Sequence, residues 1–484
     1  MVEGFVHTEG YNAHGVVLQS IGGGGGLGGD GSDMASGEIA VGGANGGSGG
    51  TAGIGGSVEA GTGSSHWVSI DTFGENSPGF MAQSIGGGGG FGGMGNSNAA
   101  FLAEHHSIDV SVGGTGGSAN HGGSVNVNLG AGVDTQGDRS HGFVVQSIGG
   151  GGGVGGAGDA SMLTSVGLGG RGGAGGDGGT VSFALSSGSH IDTAGAGAHG
   201  IVAQSIGGGG GIAGDSSRLL QLVSTGWLAL DEGGQGSGNT VGVTVTDGTI
   251  ITRGESAFGI IAQSVGGGGG LGGSADGGYA GSTAGTGSSG SGGAVNVVQS
   301  GSVATVGKDS TGIFAQSTGP DGAGPIKVRV DGTVLGGAGQ SGNAVWIAQG
   351  QDNSLEIGSQ GKVVAGLGGT AVRYDGDETD AATLNIAVAG LMSGDFRCSN
   401  AGGGLEGCQI TVEEGGQLRD ANIYEGSVDT AGMLFAGSMT DYKMATIRGN
   451  YVQQTTGVLV PAVDFVGRRA GQLRVQGDAT LDGS

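Results

Sequence analysis

Rigid and bulky residues are scarce in this chain of 484 residues: proline fills 4 positions, cysteine 2, and aromatics make up 4%. Collagen needs abundant proline in a strict three-residue glycine period, so it is excluded despite 129 glycines. A thick globular core is excluded too, because there are too few large side chains to fill one. Basic residues number 16 against 41 acidic ones, a net charge of −25. That balance argues against a nucleic-acid partner, which needs clustered Lys and Arg to neutralise phosphates. The acidic residues are dispersed and serve solubility through mutual repulsion. No stretch approaches the roughly 18 apolar residues of a membrane helix. The start, Met1 to Val6, lacks the basic region and apolar core of a signal peptide, so the chain reads as a piece of something longer.

What is present is repetition. Val and Ile recur in short alternating runs, which favours regular stacking over disorder. One segment occurs six times, at His14 to Ile21, Pro78 to Ile85, His141 to Ile148, His199 to Ile206, Phe258 to Val265 and Thr311 to Thr318. Five copies run into five consecutive glycines and a lone apolar residue, as at Leu27 or Phe91. Its glutamines, Gln19, Gln83, Gln146, Gln204, Gln263 and Gln316, recur with a long and slightly elastic period that shortens along the chain.

Each unit holds about three strand-like pieces. The first is Val125 to Leu129, matched by Val181 to Leu185 and Val241 to Val245. A Thr-x-Gly turn follows, as at Thr72/Gly74, Thr135/Gly137 and Thr193/Gly195, then the Gln-Ser strand. The third piece, such as Ile108 to Val112, comes after the glycine run. Only Ser217 to Leu230 suits a helix, and Gly226 interrupts it. The fold expected is all-β: an elongated parallel β-solenoid with glycine-rich corners and loops. If one unit forms one coil, the six glutamines stack as an amide ladder. If each unit forms two or three coils, they lie roughly 10–15 Å apart and no ladder forms. Residues 1–318 form the regular repeats, 319–420 less regular coils of the same solenoid, and 421–484 its C-terminal cap.

Candidate sites are few. Cys398 and Cys408, with nine residues between them, suit one small disulfide loop, the alternative being two unrelated buried thiols. His14, His141 and His199 share a repeat slot that Pro78, Phe258 and Thr311 fill elsewhere, which reads as a turn position rather than a metal or pH-sensing ladder. His105-His106 reads as a surface loop. Gly28 to Asp33 approximates one calcium nonapeptide, but that chemistry needs the motif in tandem. Gly301 to Lys308 misses the phosphate-loop spacing and has Asp309 where Ser or Thr belongs. Glu413-Glu414 and Asp231-Glu232 sit in apparent turns, and no Ser/His/Asp set marks a nucleophile. No catalytic, cofactor or metal residue is assigned.

Residues 445–483 carry a resemblance. Ala445 to Gln454 contains Gly449-Asn450-Tyr451-Val452-Gln453; an apolar strand, Gly457 to Asp464, follows; then comes Leu473-Arg474-Val475-Gln476-Gly477-Asp478-Ala479-Thr480-Leu481-Asp482-Gly483. This resembles the passenger–barrel junction of bacterial autotransporters, with Gln472 where many members carry Asp. The glycine-rich Gln-Ser-Ile repeats resemble passengers of the same family. The resemblance implies a right-handed β-helix, export through the outer membrane, display on the cell surface, and an outer-membrane barrel at the C-terminus of the full-length protein. Repetition without a singular site favours a non-catalytic adhesin, stalk or self-association module whose partners are cell-surface or extracellular-matrix ligands or further copies. The alternative is a β-helical enzyme acting on polysaccharide or protein, with 319–420 as its host.

Overall fold

Alternating Val and polar residues favour short strands with one buried side, and glycine lets the chain turn sharply between them. In the computed structural model these strands wind into a parallel β-solenoid. It describes residues 4–22, 31–33, 53–61, 67–87, 95–97, 109–112, 120–150, 158–159, 165–168, 176–208, 236–267, 290–376, 383–399, 407–436 and 442–484. Among these residues there is no helix.

One rung shows the plan. Val181–Leu185 lies on a first face, His190–Thr193 on a second, and Ile201–Ile206 on a third, which we call the glutamine face. Each strand pairs in parallel and in register with its equivalents in neighbouring rungs: Val181 with Val125 and Val241, Ile191 with Val133 and Ile250, Gln204 with Gln146 and Gln263. Val125–Thr135 runs continuously through the first two faces and joins them into one 23-stranded sheet. The glutamine face is a 12-stranded sheet, so the stack rises about 50 Å at the usual strand spacing. Its ladders continue unbroken across 318–319 and 420–421.

The repeat unit is thus a single coil, and most of its elasticity has one source. From the first face to the end of the glutamine face the length is nearly constant: Val125 to Ile148 in one rung matches Val295 to Thr318 in another, and Val181 to Ile206 is only two residues longer. The variable part lies between the glutamine face and the next first face. A long excursion separates Ile148 from Val181, whereas Thr318 is followed closely by Ile326. After the repeats such long excursions cease. The matched residues Ile313, Val345, Val372, Phe396, Tyr424, Ile447 and Val475 then follow one another at shorter, uneven intervals.

One sequence expectation needs correction. The piece around 108–112 is not a face of the coil: Asp109–Val112 pairs with Ser165–Leu168 in a separate two-stranded sheet. The remaining face is the stretch leading into the Thr-x-Gly turn, such as Trp67–Thr72, His190–Thr193 or Thr249–Thr252. The candidate helix 217–230, His105-His106 and residues 28–30 of the calcium-like motif fall outside the described residues. Residues 31–33 of that motif form a strand in a small parallel sheet with Gly95–Ser97.

The core is a set of in-register aliphatic columns. Ile70, Val133, Ile191, Ile250, Val303 and Val334 stack along the second face, each fully buried or nearly so. Such a side chain contributes about 1.5–3 kcal/mol on burial, as an upper estimate against an extended chain. The turn is stapled by its threonine: Thr72 Oγ1 donates to Ser77 O at 2.7 Å, and Thr193 Oγ1 to Ala198 O at 2.6 Å. The turn glycine is required by stacking, since a Cβ on Gly195 would strike the carbonyl oxygen of Gly137 one rung away.

Candidate functional site

The Gln-Ser dipeptide divides its work between the two sides of one sheet, because successive strand residues point oppositely. The glutamines share the side of Val202 and Ile261, which cluster apart from the solenoid core. There each Nε2 donates to the Oε1 of the next rung: Gln19 to Gln83 at 2.8 Å, Gln83 to Gln146 at 2.6 Å, Gln146 to Gln204 at 2.5 Å, Gln204 to Gln263 at 2.6 Å and Gln263 to Gln316 at 2.7 Å. Gln83 through Gln316 are fully buried, so each amide relies on its neighbours for these bonds. The register then places Ala348 opposite Gln316, and Gln349 accepts from Gln316 Nε2 at 3.0 Å. Ser84, on the opposite side, ties the rungs together: its Oγ donates to Gly56 O and accepts from Gly123 N, both at 2.8 Å. Ser147 repeats this with Gly123 and Gly179.

The histidine slot stands at the entry to the glutamine face. His141 and His199 stack at 4.8 Å between ring centroids with 4° between planes. The backbone N–H of His199 donates to His141 Nδ1 at 3.1 Å, and that of Phe258 to His199 Nδ1 at 3.0 Å. Both Nδ1 atoms are therefore engaged by backbone donors. Burial, with the nearby Arg139 guanidinium, pushes the His141 imidazole down to about 4. Burial and then His141 itself hold His199 well below the ordinary histidine value. The column is a neutral stacking element, more deeply packed than a turn position implies.

Cys398 and Cys408 are joined in a disulfide. Cys398 lies on the glutamine face opposite Tyr374, and Cys408 on the next first face opposite Leu384. The bond closes the base of the excursion between them, and both residues are buried against the core.

The second face carries a group that the sequence reading missed. Its outward column runs His7, Asp71, Asp134, Asp192 and Ile251, in register on successive rungs. Two residues before Asp192, and on the same side, His190 stands opposite Gly132. His190 Nε2 lies 3.8 Å from Asp134 Oδ1 and 4.0 Å from Asp192 Oδ2. One donor atom from each of the three residues lies within 4.8 Å of the others. Arg253 holds Asp192 from the next rung by two bonds, of 2.8 and 2.6 Å. Burial raises the Asp134 carboxyl, His190 opposes that shift, and Asp71 and Asp192 add to it. Asp134 and His190 are each about half exposed. The signal was in the sequence, since Asp71, Asp134 and Asp192 all directly precede the threonine of a Thr-x-Gly turn. Using it required knowing that one repeat is one coil.

In 319–420 several carboxylates are committed to guanidiniums: Asp331 and Glu356 to Arg329, Asp375 to Arg373, and Asp395 to Arg397. Trp346 is buried between Phe314 and Arg373, and its Nε1 donates to Asp375 at 2.8 Å. No protein-family model matches this chain, and no curated protein or solved structure matches it either.

Proposed function

We propose that this chain is the surface-displayed passenger region of an autotransporter, acting as an adhesin, stalk or self-association module without catalysis of its own. The observation that carries the reading is the uniform coil: the same three strands recur rung after rung with the same alternation of inward and outward positions. A spacer or binding surface needs many equivalent positions, whereas an enzyme needs one singular constellation. The resemblance of 445–483 to a passenger–barrel junction supports export and display. The guanidinium pairing of carboxylates in 319–420 supports a structural use of that region. An exposed aromatic patch on the lateral second face, with Phe5 at 64%, Trp67 at 46% and Phe73 at 50% exposure, supports contact with a partner or another copy.

The test is accessibility on intact cells that produce the full-length protein. Antibodies against residues 1–484 are expected to label unbroken cells, and loss of the gene is expected to reduce aggregation or attachment. Labelling that requires lysis would overturn the reading.

A further inference from the structure

In-register stacking places Asp71, Asp134 and Asp192 directly over one another at about the 4.8 Å strand spacing. Like charges so opposed destabilise a sheet unless something offsets them. Asp192 has Arg253. Asp134, between two other carboxylates, has only His190 as an ion-pair partner among the described residues. His190 brings to that point a ring nitrogen of the kind that serves as a metal ligand.

We propose that Asp134, His190 and Asp192 form a binding site for a divalent transition cation of the Zn2+ class on the outer second face. One imidazole and two carboxylates are a donor set that zinc accepts readily, and three protein ligands leave a fourth position to water. Zinc–ligand bonds near 2.0–2.2 Å put tetrahedral ligand atoms about 3.4 Å apart. The 3.8 and 4.0 Å separations at His190 reach that value through small rotations of the His190 and Asp134 side chains, both about half exposed, with Asp192 held in place by Arg253. Gly132 contributes as well. It lies opposite His190 on the neighbouring rung, where even a Cβ would meet only Trp67 and Ser69, at 3.8 and 4.0 Å, so no side chain of its own holds the ring away from Asp134. Hard cations fit less well, because Ca2+ takes six to eight oxygens and the imidazole supplies none. Arg253 competes for Asp192: its Nε donates to Oδ1 and its Nη2 to Oδ2, the oxygen that faces His190, so a cation on Oδ2 displaces the Nη2 bond and leaves the Nε bond on Oδ1.

The experiment is calorimetric titration of Zn2+ alone into chelator-treated protein, residues 1–484. One equivalent is expected to bind, Ca2+ at equal concentration is not expected to displace it, and His190→Ala and Asp134→Asn are each expected to weaken it at least tenfold. Circular dichroism of both variants is expected to match the parent, since neither side chain is in the core. Absence of a zinc equivalent would overturn the proposal. So would unchanged affinity in both variants, which would place the ion on other histidines, or displacement by Ca2+, which would reveal a diffuse acidic column.

Discussion

At the scale of single residues, the glutamine column sets the strongest constraint. A buried amide that donates to one neighbour and accepts from another leaves two groups stranded when it is removed. Replacing Gln146 with Leu keeps the approximate volume but orphans the Gln83 Nε2 donor and the Gln204 Oε1 acceptor. Each buried unsatisfied group costs about 1–3 kcal/mol, so Gln146→Leu is expected to destabilise by roughly 2–6 kcal/mol. Gln19→Leu is expected to cost about half as much, roughly 1–3 kcal/mol, because it orphans one group, the Gln83 Oε1 acceptor, instead of two. Denaturant unfolding of the two variants side by side checks the ratio. Equal small losses would mean that the ladder is ornamental and that apolar packing alone holds the face.

At the scale of elements, the coil is a nearly constant piece joined by far more variable excursions, and this is where sequence and structure part. Val125-Asn126-Val127-Asn128-Leu129 was legible as a strand because alternation with β-branched residues signals one buried side. The stretch 130–135 that continues it was not, since Gly130, Ala131 and Gly132 obscure the alternation that only Val133 and Thr135 maintain. Residues 109–112 alternate just as well yet pair outside the coil, because periodicity reports a two-sided strand and not which sheet receives it. The single-coil answer was also hidden, since an excursion as long as that from Ile148 to Val181 has chain enough to make another coil. The proposed cation site depended on that answer and was illegible with it. The disulfide belongs to this scale. Cys398 and Cys408 tie the end of one rung to the start of the next, restraining the excursion between them. Closing a loop of that size in the unfolded chain is worth about 2–3 kcal/mol in the chain-entropy account. The paired Cys398→Ser and Cys408→Ser variant is expected to lose that much, with faster hydrogen exchange confined to strands near 384–424. A loss spread evenly over all rungs would contradict a local role.

At the scale of the whole molecule, pH sets two effects against each other. The chain carries a net charge of −25, so acidification toward the carboxylate range relieves self-repulsion and favours the compact state. The buried histidines act in the opposite sense and at higher pH. His141 falls from the usual 6.5 when unfolded to about 4 when folded, and His199 is shifted in the same direction. The unfolded chain therefore binds these protons more readily than the folded one, and stability falls as pH drops below 6.5. For His141 the loss is complete near pH 4 and amounts to about 3 kcal/mol at most, from 1.36 kcal/mol per unit. Between pH 7 and 5 the carboxylates stay largely ionised, so the histidine effect governs the slope. The denaturation midpoint is expected to fall across that window, and hydrogen exchange is expected to rise first around 141–206, since a stacked array opens locally. Phe258 occupies the same column, so the paired His141→Phe and His199→Phe variant retains aromatic stacking and removes the titration. That variant is expected to flatten the profile even if its stability at pH 7 is lower. A parent midpoint that stays level or rises from pH 7 to 5 would show that charge repulsion, not the buried imidazoles, governs how this solenoid responds to acid.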